Sequence, residues 1–127
     1  MRVGLAVFLT YGMARAGHAS RQSDSPTCLQ YRAQLRTARS FRDAAFQQLR
    51  SAQSQLARAE VNARAALAEL QRARTDSARR SAESRLRSAE NQVRTWQNTV
   101  DSTQRRVDAG DREIGRIEER LAVHGCR

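Results

Sequence analysis

Between positions 31 and 73 a small or aromatic residue recurs every seventh position: Tyr31, Ala38, Ala45, Ala52, Ala59, Ala66, Ala73. Three residues ahead of each lies a second row: Cys28, Leu35, Arg42, Leu49, Leu56, Ala63, Leu70. Spacing of three and four along the chain puts both rows on one helix stripe, with mostly large residues at a and alanine at d. The stripe predicts one long helix packed closely against a partner, from about Pro26 to Ala73, with no glycine or proline inside after Pro26. Ser25-Pro26 is a start signal, because serine can cap and proline loses nothing at the first helical position.

A second seam follows. Its a row is Leu86, Val93, Val100, Val107, Ile114, Leu121, and its d row is Ala82, Ala89, Trp96, Thr103, Gly110, Ile117, His124. It predicts a helix over about 78–124, stopped by Gly125. Between the seams, Arg74-Thr75-Asp76-Ser77 offers three candidate caps, and 74–77 is expected to be a turn. The seams are offset by a heptad plus two residues. On an uninterrupted helix those two extra residues swing the stripe by about 200°. A reversal at the turn lets the stripes face each other instead. The fold class expected is therefore all-α: two long antiparallel helices forming a helical hairpin.

Antiparallel pairing gives facing residues a constant sum of numbers, and 152 centres the hairpin on Asp76. Ala38 then faces Ile114, Ala45 faces Val107, Ala52 faces Val100 and Leu49 faces Thr103. Arg42, the charge in the first seam, faces Gly110. Small opposes large in most layers, as close packing requires. Leu56–Trp96 and Leu35–Ile117 are bulky exceptions, and the Trp96 indole N–H needs a partner or solvent. Arg50–Glu60 and Arg80–Glu90 also share a pattern at an offset of 30 residues, which an internal duplication or convergent coiled-coil composition would each produce.

Composition narrows the class. One proline, six glycines and 5% aromatics suit long helices and leave only a narrow apolar stripe to bury. All 23 basic residues are arginine, and the net charge of +10 favours polyanions without choosing one. Residues 28–74 carry nine arginines against three acids, and 75–127 carry eleven against nine, so the first helix is the more electropositive. Acidic residues stand four positions before arginine, the favourable i,i+4 order, at Glu60/Arg64, Glu83/Arg87, Glu90/Arg94, Asp101/Arg105 and Asp108/Arg112 among others. They support exposed helix faces.

The N-terminus follows the order of a secretory signal. Arg2 precedes the apolar run Val3–Ala14, too short to span a bilayer, and small residues place cleavage after Ala16 or Ala19. Residues 1–19 are thus expected to be a signal peptide and 20–25 a polar leader, ahead of one helical domain over 26–127. An uncleaved anchor is the other reading, and only then is membrane association expected. Export makes the compartment periplasmic or extracellular and oxidising.

The two cysteines, Cys28 and Cys126, fall together at the open end of the hairpin, which favours a disulfide closing it. Two inter-chain bridges in a homodimer, or a metal site with His124, which lacks a fourth ligand, remain open alternatives. A catalytic thiol would need a base, and His124 sits at a seam position. No phosphate loop, metal-ligand cluster or nucleophile elbow occurs, so no enzyme, catalytic residue, metal or cofactor is expected. The candidate interaction face lies on the first helix. Arg36, Arg50 and Arg64 recur every fourteen residues on its outer side, and Phe41, Phe46 and Leu67 flank the seam. The flanking apolar residues either widen the seam or meet another helix.

The expected function is an exported structural or protein-binding module of the cell envelope, partnered by a protein or an acidic envelope component. A basic polyanion binder is an alternative, though nucleic acid is disfavoured by the signal peptide and by the lack of aromatics interleaved with arginines. A further alternative comes from layout. Val3–Ala14, the two heptad arms and the terminal Cys126-Arg127 resemble inner-membrane spanin subunits of phages. That resemblance implies an N-terminal hydrophobic segment, a periplasmic coiled coil, covalent dimerisation through cysteine, and host lysis by linking inner and outer membranes.

Overall fold

The computed structural model describes residues 25–126. The expected signal peptide, residues 20–24 of the leader and Arg127 lie outside the described residues. Two helices fill the described chain: α1 (Pro26–Arg72) and α2 (Asp76–Val123), of 47 and 48 residues. They pack against each other as an antiparallel helical hairpin. Among the described residues there is no strand.

Each helix end is fixed by the chemistry of its sequence. Ser25 caps α1: the Cys28 N–H donates to its Oγ at 3.2 Å and the Leu29 N–H to its carbonyl. Pro26 occupies the first helical position, as expected. The turn is 73–75, slightly earlier and tighter than the expected 74–77. Of the three candidate caps, Thr75 is the one used. Its Oγ1 accepts from the Ala78 N–H at 3.1 Å, and its carbonyl accepts from the Arg79 N–H. Asp76 and Ser77 therefore begin α2 two residues sooner than its apolar pattern indicated, because capping geometry and not burial sets the boundary. α2 ends in a Schellman motif. The Cys126 N–H donates to the Leu121 carbonyl and the Gly125 N–H to the Ala122 carbonyl, with Gly125 at φ +67°. A left-handed residue is needed there, and glycine adopts it without a steric cost.

The described chain comprises two compact units. The open-end unit combines 25–39 with 112–126. Its core is Leu35, Ala38 and Ile117, with Tyr31, Ile114 and Leu121 packed against them. The second unit is Ser40–Asp111. Its core gathers Ala45, Leu49 and Val107 with Phe46 and Val100, and the buried row continues through Ala52, Ala59, Ala66, Ala82 and Ala89. Small-against-large layering is thus realised in both units, in the register set by the two rows.

Gly110 gives the closest reading of that register. A Cβ built there would lie 2.8 Å from the Cβ of Arg42. The arms touch backbone to side-chain root at this layer, and no methyl group fits between them. Arg42 escapes sideways, and its Nε donates to Asp111 at 2.9 Å. That bond holds its guanidinium still more firmly protonated than usual. Thr103 is the buried polar residue of the seam, and its hydroxyl donates to the Thr99 carbonyl, so its burial opposite Leu49 leaves nothing unsatisfied.

Candidate interaction surface

The cysteine pair is joined within the chain. Cys28 and Cys126 form a disulfide with their Cα atoms 5.6 Å apart, 98 positions apart in sequence. Two local features bring them together. Cys28 is an a residue of α1 and is buried, whereas the Schellman motif turns Cys126 back over the end of α2. Beside the bridge, the Tyr31 ring stacks on His124 with centroids 5.3 Å apart. His124 is exposed, so its d position gives a ring stack at the helix end and not a seam contact.

The six residues of the proposed α1 face are not equivalent. In the open-end unit, Arg36 is exposed. In the second unit, Phe41 is 54% exposed and Leu67 44% exposed, while Arg50 and Arg64 are exposed. Phe46 is different. It is half-buried against Ala45, Leu49 and Val107, and the Arg42 and Arg50 guanidinium carbons stand 5.4 Å and 6.0 Å from its ring centroid. Phe46 therefore widens the seam, and the two arginines cover it. Phe41 occupies a g position and Leu67 an e position, so they lie on opposite flanks of the α1 stripe. Leu67 and Arg64, three residues apart, share a flank. Val61, 58% exposed on the outer face, was not anticipated, although an apolar residue outside both rows was a visible signal.

Electrostatics across the seam departs from the i,i+4 expectation. The ion pairs of the described residues are not the five anticipated pairs. Three of them join the arms: Arg39–Glu118 at 3.5 Å, Arg42–Asp111 at 2.9 Å and Arg85–Glu69 at 2.6 Å. Arg106 adds a hydrogen bond to Gln48 at 3.0 Å. Within one helix, Arg116 pairs with Glu113. The partners follow antiparallel logic, e with e and g with g, except that Arg42 reaches out from an a position. Exposed i,i+4 pairs are worth only a few tenths of a kcal/mol, so geometry offered by the other arm readily displaces them.

Two open grooves lie on the g flank of the second unit and share Glu69 and Arg85. The one at the turn, of about 280 Å³, is lined by Arg72, Ala73, Ala78 and Ser81 besides that pair. The other, about 360 Å³, runs past Asn62, Ala66, Ser88 and Gln92. Among the described residues, no group of three or more His, Cys, Asp or Glu side chains is placed to hold a metal ion. No described helix is long and apolar enough to cross a membrane. Comparison with family models, with curated proteins and with solved structures gives no match for this chain.

Proposed function

We propose that the chain is an exported, non-enzymatic hairpin that serves as a structural or protein-binding module of the cell envelope. The observation that carries this reading is the combination of a disulfide-closed open end with a helix whose exposed residues include arginine and large apolar side chains. A disulfide of this span is favoured in oxidising compartments. In the second unit, Arg64 beside Leu67 supplies a charged and an apolar contact within one helix turn. That pairing suits an acidic protein partner better than a small molecule, because the face is convex and a guanidinium binds carboxylates bidentately.

The test is the intact mass of the protein recovered from the envelope, with and without reductant. The expected result is a monomer lacking 16 or 19 N-terminal residues that gains two hydrogens on reduction. A full-length, membrane-held chain linked as a covalent dimer would instead favour a spanin-like role in lysis. For the face itself, a photo-crosslinking residue at position 67 in the intact envelope is expected to trap an acidic protein, and Arg64→Glu to abolish that product.

A further inference from the structure

The charge of the described residues is not spread evenly. Residues 72–80 contain Arg72, Arg74, Arg79 and Arg80 against the single acid Asp76, a net +3 in nine residues. By contrast, 101–126 carry five arginines and six acids. All four turn arginines are exposed. Arg72 spends its Nε on the Ala68 carbonyl, which steadies the end of α1. Arg74, Arg79 and Arg80 make no ion pair among the described residues, and the nearby Glu69 is already taken by Arg85. The cluster exists because the turn is short. With only 73–75 between the helices, arginines from the last turn of α1 and the first turns of α2 are gathered at one end of the unit.

We propose that this turn is a docking point for an anionic phospholipid surface. Three properties favour a bilayer over other polyanions. The patch is a convex turn, which meets a flat sheet of phosphates at several headgroups but follows a nucleic-acid backbone over only a short distance. No aromatic residue occurs between Phe46 and Trp96, so there is no platform on which bases could stack. No large apolar side chain lies within 71–85, so the contact is electrostatic adhesion without insertion, reversible by salt. This inference goes beyond the envelope-module reading and does not use the α1 face.

The test uses the full oxidised chain and sedimentation with vesicles of phosphatidylcholine alone or with 30% phosphatidylglycerol. Binding is expected only to the anionic vesicles and is expected to be lost in 1 M salt. Each arginine near such a surface contributes about fivefold, so Arg74→Gln/Arg79→Gln/Arg80→Gln is expected to lower partitioning roughly a hundredfold. The charge-matched control Arg58→Gln/Arg105→Gln/Arg112→Gln, three exposed arginines outside both the turn and the α1 face, is expected to stay within a few-fold. Glutamine retains helix propensity, and an unchanged helical signal with the disulfide intact confirms that both variants fold. Equal loss in the two triple variants would overturn the proposal, since net charge alone would then explain binding. Salt-insensitive binding to neutral vesicles would overturn it in favour of the N-terminal apolar segment. Tighter capture of a duplex oligonucleotide, lost in the same turn variant, would reassign the turn to nucleic acid. A failed crosslink at position 67 would leave this proposal standing, and a failed vesicle assay would leave the α1 face standing.

Discussion

Gly110 and Gly115 lie five residues apart in α2 and answer to different forces. At Gly115 an added Cβ meets nothing within 4 Å, so only the backbone preference counts. Gly115→Ala is expected to raise stability by about 1 kcal/mol in urea titration, the usual helix-propensity difference. At Gly110 the same change drives a methyl into the Cβ of Arg42, the rigid root of that side chain. Overpacking of this kind costs about 1–3 kcal/mol, which offsets or exceeds the propensity gain. Gly110→Ala is therefore expected to leave the protein no more stable than the parent, and up to about 2 kcal/mol less. Equal stabilisation by both changes would mean that the arms do not touch at this layer. The pairing of a charge with a glycine was legible in the two rows. What it meant was not: only the arm spacing turned Gly110 from a weak helix residue into a required one.

Helix ends are settled by single hydrogen bonds. The 74–77 stretch presents three candidate caps, and sequence preference ranks Asp76 and Ser77 somewhat above Thr75. The structure uses Thr75, whose Oγ1 receives the Ala78 N–H. Thr75→Ala is expected to cost about 1 kcal/mol, while Ser77→Ala, already inside α2, should stay within about 0.5 kcal/mol. Thermal melts of the two variants check this, and equal losses would mean the cap is shared. The long faces tell a similar story. The apolar rows located the buried stripe residue by residue. The polar flanks were not readable in the same way, because an exposed arginine has several partners of nearly equal energy and its choice depends on the other arm. Phe46 shows the difference within one residue. Its flanking position left seam and partner equally open, and its burial against Val107 with two guanidinium groups over the ring decides for the seam.

At the scale of the whole molecule the disulfide holds the start of α1 to the end of α2. It closes a loop of almost the full helical domain, and the chain-entropy model assigns such a loop about 4–5 kcal/mol. The open-end unit has a small core around Leu35, Ala38 and Ile117, so it depends on the bridge more than the second unit does. Replacing Cys28 and Cys126 by serine is expected to lower stability by several kcal/mol. Hydrogen exchange should then show protection lost first in 25–39 and 112–126, with Ser40–Asp111 retaining more. Uniform loss over both units would mean that the hairpin unfolds as a single cooperative body.

Heptad spacing, the phase break between the seams and the matching of small with large rows were enough to dictate two antiparallel helices and their register. Those properties are periodic and repeated over many layers, so no single exception could mislead them. The positions of both cysteines at one end followed from the same register, although it left open whether they join one chain or two. Tertiary structure alone decided that they bond within the chain, which of Thr75, Asp76 and Ser77 caps α2, which carboxylate each arginine reaches and which flanking apolar residues stay exposed. Each of these depends on one contact between segments distant in sequence or on one backbone angle, and no periodicity along the chain records such a contact.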